Sequence, residues 1–172
     1  MVIILMGAAG AGKTTVGRQL SHELAWRFLD GDALHPPENI AKMARGIPLT
    51  DDDRRPWLQA LRTAIGEWIE RDIDAVLAGS LLRRAYRNAV LAQYQSRLKR
   101  SPVKLVYLRA SRALLQARLT ARGSHFAGVA LLDSQLALLE EPVDQEPVDA
   151  LTLDASHAPD LLVQAIRTRW NL

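Results

Sequence analysis

The chain has 172 residues, 48% hydrophobic and 24% charged, with a formal net charge of +3. That is enough for one folded domain with a sizeable core and argues against disorder. Having no cysteine excludes disulfides, thiolate nucleophiles and Cys-ligated zinc, while scattered Lys and Arg with only 5% aromatic residues speak against nucleic acid as the main partner.

The opening run Val2-Ile-Ile-Leu-Met6 is apolar on successive residues, as a strand covered on both faces should be. It is far short of the ~20 residues that span a bilayer, and no basic segment marks it as a secretion signal. A cytoplasmic protein without a membrane partner is therefore expected. Gly7-Ala8-Ala9-Gly10-Ala11-Gly12-Lys13-Thr14 comes next and matches G-x-x-x-x-G-K-[ST] in full. Its blandness has a physical reason. Phosphate oxygens are held by a row of backbone N–H groups, and larger side chains would obstruct their approach. A helix predicted over residues 12–24 adds the partial positive charge of its N-terminus. Lys13 is expected to reach the β and γ phosphates of ATP, Thr14 to ligate Mg²⁺, and Thr15 to complete the nucleotide site.

The second strand, residues 27–30, runs into Asp30-Gly31-Asp32. One carboxylate is expected to face the waters of the metal and the other a phosphoryl acceptor, whose hydroxyl proton it takes up. D-G-D is equally good turn chemistry. A helix is predicted at 37–45, and His35, Lys42, Arg45 and Arg54 lie in one segment that suits an acidic acceptor. Taken singly, each also reads as a solvated basic residue, and His35 as a capping or core group. The helix at 52–71 carries its apolar stripe on Trp57, Leu58, Leu61, Ile65, Trp68 and Ile69. Thr50 and Asp53 have capping-box spacing, so Asp51, Asp52 and Asp53 suit the positive helix end better than a shared metal.

Further strands are predicted at 74–78, 103–108 and 151–154, and helices at 81–95, 112–121, 130–139 and 159–170. This alternation implies a parallel sheet with helices on both sides. Ligands then sit beyond the strand ends, after Met6, Asp30, Ala78 and Leu108. Arg118 reads first as a charge that complements the dipole of its helix end.

The phosphate loop, "FLDGDALHPPENIAKMARGIPLTDDDRRPWLQAL" and "ARGSHFAGVALLDSQLALLEEP" resemble the gluconokinase family. The resemblance runs from the loop through Pro142. It implies a single P-loop kinase domain over 1–172 of the shikimate-kinase type, a five-stranded parallel sheet of order 2-3-1-4-5 with a mobile lid near 121–130. It also implies transfer of the ATP γ-phosphoryl group to O6 of gluconate, and a homodimer. Carried onto this chain, it makes Asp32 the residue that orients or deprotonates the sugar hydroxyl and Asp30 the one near the metal waters. His35, Lys42, Arg45, Arg54, Ser80 and Arg83 become candidates for the acceptor wall. Arg122 at the base of the lid is expected to contact ATP and offset transition-state charge, and His125 to read the acceptor or pack the lid. The family's C-S-A-L-K-R-x-Y-R becomes Gly79-Ser-Leu-Leu-Arg83-Arg-Ala-Tyr-Arg87 here, so a larger, forked Arg83 replaces lysine. In the lid, R-x-x-H-F-M-P loses its Met and Pro, and Leu136 stands where Phe is usual.

Three rivals remain at this level: a kinase for a related sugar acid or a shikimate-like acceptor, a non-catalytic nucleotide-binding module, and a basic RNA-binding protein. Shikimate kinases are expected to carry a triple-glycine turn after the third strand, where this chain has Gly79-Ser80-Leu81.

Overall fold

In a computed structural model of the protein, residues 1–94, 101–121, 127–143 and 146–172 are described, with the backbone alone at 127–130. The elements run β1 (Val2–Met6), α1 (Lys13–Leu24), β2 (Arg27–Asp30), α2 (Pro37–Ala44), α3 (Asp51–Glu70), β3 (Ala75–Ala78) and α4 (Arg84–Leu91), then β4 (Val103–Arg109), α5 (Arg112–Ala121), α6 (Ala127–Leu138), β5 (Asp149–Asp154) and α7 (Pro159–Trp170). Short 3₁₀ turns occupy Gly31–Leu34 and Ala92–Tyr94. The sheet has the order β2-β3-β1-β4-β5, and every pairing is parallel. Strand β1 is central: Val2 pairs with Ala75 on one side and Val103 on the other. From β1 the chain runs to β2 on one side, and from β3 it crosses to β4 on the other, so the connections diverge and a crevice opens at the C-terminal end of β1.

Alternation along β1 explains the core. Ile3 and Leu5 face one layer with Val16, Leu20, Leu115, Leu162 and Ile166. Val2, Ile4 and Met6 face the other with Trp57, Leu61, Ile65, Val90 and Leu91. All five β1 side chains are fully buried, each contributing about 1.5–3 kcal/mol of transfer free energy. Paired on both edges and covered on both faces, β1 is a firm platform for the loop at its C-terminal end.

At the margins the elements differ from those expected. Strand β5 begins two residues before the predicted start at 151, and its side chains are only partly covered. β2 is likewise partly exposed. Both are edge strands, paired on one side only, and so escape the two-sided burial of the centre. Helix α6 starts at Ala127 rather than 130. The helix expected from residue 81 starts at Arg84, because Leu81 adopts a left-handed φ of 36° that no helix can include. Among the described residues no helix is long and apolar enough to cross a membrane.

The turn holding Leu81 is organised by Arg87, which is fully buried on α4. Its Nη1 donates to the carbonyl oxygens of Leu81, Leu82 and Glu140 at 3.2, 3.1 and 2.9 Å. Its Nε and Nη2 grip the carboxylate of Glu146 at 2.8 and 2.7 Å, a bidentate pair with both side chains 1% exposed. Removing one member of such a pair strands the other without water. Arg87→Leu is therefore expected to lower unfolding free energy by about 3–5 kcal/mol, measured by urea denaturation. A loss within about 1 kcal/mol would mean that Glu146 finds another partner.

Candidate active site

The loop from Gly7 to Gly12 sits where β1 opens the crevice, and α1 starts directly behind it. Gly7 has φ 146°, and a Cβ there would stand 2.9 Å from the Leu108 carbonyl oxygen. Gly12 is the N-cap of α1 with φ 97°, a left-handed conformation that glycine tolerates without strain. Ala8 and Ala11 are buried beneath, leaving the backbone as the working surface. Lys13 Nζ donates to the carbonyl oxygens of Gly7 and Ala8 at 2.9 and 3.0 Å, folded over its own loop.

At the loop's mouth, Thr14 Oγ1 donates to Asp30 Oδ2 at 3.0 Å. Two side-chain oxygens lie side by side there, chemistry suited to a hard divalent cation. Among the described residues there is no group of three or more His, Cys, Asp or Glu fit for a metal. A Mg²⁺ held mainly by phosphates and water needs none. Asp30 ends β2 and its Oδ1 caps the 3₁₀ turn by accepting from the Asp32 N–H at 3.2 Å. The D-G-D segment is thus a turn, and it directs Asp30 toward Thr14 and Asp32 into the neighbouring cavity.

That cavity is lined by Lys13, Asp32, His35, Arg54, Ser80 and Tyr86, among others. It lies on the α3 side of the loop. Trp57 forms its floor. The indole Nε1 donates to the Gly31 carbonyl oxygen at 2.8 Å, fixing the turn that carries Asp32. The same indole stacks on His35 with ring centroids 4.7 Å apart and planes 9° from parallel. Burial pushes the His35 imidazole below its ordinary pKa; Asp32 opposes the shift and Arg54 adds to it. Arg54 uses Nη1 for the Leu49 carbonyl oxygen at 2.5 Å and the Tyr86 hydroxyl at 3.4 Å. No hydrogen bond among the described residues uses its Nε or Nη2.

The other cations predicted for this wall do not line the cavity. Lys42 pairs with Asp53 at 2.7 Å. Arg45 is bound through Nε to the Ala41 carbonyl oxygen of its own helix, at 3.2 Å. Arg83 pairs with Asp51 at 2.7 Å and lies over the Tyr86 ring, as Arg54 also does. The acidic run divides accordingly: Asp51 accepts from Tyr86 and Arg83, Asp52 pairs with exposed Arg55, and Asp53 completes the capping box with Thr50. The three carboxylates diverge, as their helical spacing requires. Hydrogen bonds from Tyr86 and then Arg83 hold the Asp51 carboxyl below the usual range, against burial.

A second cavity lies on the other side of the loop, lined by Gly12, Thr15, Arg118, Ala121, His157 and Pro159, among others. Arg118 is more than a charge at a helix end. Its Nη2 donates to the Ala155 carbonyl oxygen at 2.8 Å and its Nη1 lies 3.4 Å from the carbonyl oxygens of Gly10 and Ala11. Arg122 and His125, with half of the expected lid, lie outside the described residues. Sequence reading missed Asn39, Trp57 as a site residue, the 155–159 loop, and Gln135, whose Oε1 accepts from the Ala9 N–H at 2.7 Å. For Asn39 a signal existed, its four-residue spacing from His35 at a helix start.

Comparison with known proteins adds relatives to this geometry. Residues 2–142 match a family model described as an AAA domain. A gluconokinase of Gluconobacter oxydans is 41% identical over 164 residues, spanning 95% of this chain and 88% of the relative. The crystal structure of a gluconokinase from Sinorhizobium meliloti superposes with a TM-score of 0.75 at 38% identity, covering 95% of this chain and 87% of that one. A sugar kinase from a Janibacter species, in an unliganded structure, gives a TM-score of 0.83 at 34% identity, covering 97% and 92%.

The capping carboxylate of Asp53 also sets a pH dependence. Its bond from Lys42 and then the Thr50 N–H lower its pKa from 3.8 to about 2. A folded value below the unfolded one means stabilisation that is complete above the unfolded pKa and lost as pH falls through the folded one. In thermal melts, the wild type should therefore exceed Asp53→Ala in stability above about pH 4, with the gap closing toward about pH 2. A gap that stays constant over that window would remove the Asp53 carboxylate as its source.

Proposed function

The chain belongs to the gluconokinase family, and on that premise we propose that it transfers the γ-phosphoryl group of ATP to gluconate, giving 6-phosphogluconate and ADP. One observation carries this reading: Asp32, Lys13 and Arg54 line a single cavity beside the phosphate loop. A proton acceptor, a phosphate cation and a carboxylate-binding guanidinium are the groups that such a transfer needs.

Each residue has its own share of the work. Backbone N–H groups of the loop, with Lys13 turned outward from its resting carbonyl partners, bind the β and γ phosphates. Thr14 and Asp30 would hold Mg²⁺. When bound, that ion offsets phosphate charge. Arg54 offers its unused N–H groups to the acceptor's carboxylate, and Ser80 adds a hydroxyl for the polyol chain. Asp32 accepts the proton of the attacking hydroxyl as its oxygen bonds to phosphorus, while the bond from phosphorus to the β–γ bridging oxygen breaks and ADP leaves. The nucleotide's base is assigned to the second cavity, against the stem and guanidinium of Arg118. Arg122 is assigned to ATP, and His125 to the acceptor or the packing of the lid, on the family likeness alone, and a cytoplasmic homodimer rests on the composition and family likeness already described.

A shikimate-type acceptor is disfavoured by the turn after β3. It carries Ser80 and a buried, left-handed Leu81 in place of a run of glycines. A binding module without turnover would have no use for Asp32 beside Lys13.

ADP release measured in a coupled assay should depend on gluconate, and shikimate and nucleoside monophosphates should not replace it. ADP release indifferent to every sugar acid would sink the reading. Asp32→Asn should lower kcat by about 10²-fold or more with little change in ATP affinity, the loss typical of a missing general base. Unchanged kcat in that variant would leave the proton to water. Lys13→Ala should abolish turnover.

A further inference from the structure

His35 lines the acceptor cavity and is 8% exposed, so the state of its two ring nitrogens decides what it can offer a ligand. Asn39, buried in the first turn of α2, determines that state. Its Nδ2 donates to the Asp53 carbonyl oxygen at 2.6 Å. This sets the amide's orientation, because its own oxygen could not face another carbonyl. The second N–H of the same nitrogen faces His35 Nδ1 at 3.4 Å. Nδ1 must then present a lone pair, and the ring proton sits on Nε2. An imidazolium would direct a second donor at Asn39, so the charged form is disfavoured in the same direction as by burial. Stacking on Trp57 fixes the ring plane. No hydrogen bond among the described residues uses Nε2.

We propose that Asn39 is a positioning residue that holds His35 as the neutral Nε2–H tautomer, so that His35 donates a hydrogen bond to a hydroxyl oxygen of the acceptor and Asp32 alone takes up the proton. The proposal rests on the reading of this cavity as the acceptor site. The charged or titratable groups around His35 are Asp32 on the 3₁₀ turn, Lys13 behind the loop, Arg54 on α3 and Tyr86 on α4. The Lys42–Asp53 pair lies behind Asn39. Helix α6 contributes Leu131, Ser134, Gln135 and Leu138, none of which titrates. Asp32 is thus the carboxylate that lines the cavity with His35, and the wall keeps its proton donor and its proton acceptor on separate residues.

The test is a long-range ¹H–¹⁵N correlation spectrum of the unliganded, histidine-labelled protein, with His35→Gln to assign the signal. The Nε2–H pattern is expected for His35 near pH ~7. An Nδ1–H pattern or an imidazolium there overturns the proposal. Asn39→Asp supplies the kinetic arm. A carboxylate accepts from Nδ1–H, so the neutral ring of this variant should flip its tautomer and lose the Nε2 donor. Its KM for gluconate should climb about three- to tenfold as pH rises through the now elevated His35 pKa, with KM for ATP flat. The wild-type KM for gluconate should not move over that range. Identical pH profiles in the two proteins would overturn the assignment. If Asn39→Asp does not fold, Asn39→Ala with the same spectrum replaces it, and an undisturbed tautomer there overturns the role of Asn39. Wild type without gluconate-dependent ADP release would overturn the reading of the site itself, whereas an Nδ1–H signal in an active enzyme overturns Asn39 alone.

Discussion

The functional end of the molecule depends on one junction, where a fully buried strand turns directly into a helix through a loop with almost no side chains. Bare backbone binds phosphate well only if it is held rigid from below, since it has no side chains with which to hold itself. Strand β1 supplies that rigidity by being hydrogen-bonded on both edges and packed on both faces. Ala8 and Ala11 extend the core into the loop, so the loop is as much a part of the packed interior as the strand. The glycines then fall where a Cβ would collide with neighbouring backbone or force a left-handed turn. Rigidity and exposure are supplied by different residues of the same short segment.

The acceptor wall is built on another principle. Here charged side chains are plentiful, and most are neutralised by one another. Lys42 is held by Asp53, Arg83 by Asp51, Arg55 by Asp52. What remains facing the cavity is a small set: Asp32, Lys13, Arg54 and His35 with its lowered pKa. The acidic start of α3 pairs with cations that do not line the cavity. It also caps a helix whose Trp57 supports both the turn of Asp32 and the ring of His35. A single indole therefore couples the turn of Asp32 to the ring of His35, and the cap that starts its helix is part of the same construction.

How much of this was legible in the sequence depended on how local each interaction is. Strand β1, the phosphate loop and the capping box were legible because each is a local pattern, with its physics contained in a few consecutive residues. The approximate extent of α3 was legible from its apolar stripe. The edge strands were less so, because burial on one face or two depends on the sheet's order. The destination of each cation was not legible at all. Lys42 and Arg54 look alike in sequence, yet Lys42 is tied to the Asp53 carboxylate while Arg54 turns its guanidinium into a cavity. Leu81 gave no warning of its left-handed backbone. That conformation costs about 1–2 kcal/mol in a residue with a Cβ, and persists because Arg87 binds the turn's carbonyls while the leucine is fully buried.

Gln135 carries the logic of the site one step further. It sits on α6, on the far side of the cavity from α3, and accepts from the Ala9 N–H of the phosphate loop. The loop is thus touched from both of its neighbours in the sheet's layers: by Thr14 and Asp30 near β2, and by α6 from across the crevice. Ala9 and Gln135 both line the cavity that holds Asp32 and Arg54, so the amide that Gln135 covers is on that side of the phosphate loop. A neutral amide is the right partner for that place. A carboxylate would bind the N–H more strongly and then repel the incoming phosphate, while an apolar side chain would leave a part-buried donor with no partner. The glutamine satisfies the loop's backbone N–H without adding a charge beside it. His35 fits the same pattern, with burial lowering its pKa and the neutral amide of Asn39 facing its Nδ1, so the cationic side chains that line this cavity are Lys13 and Arg54.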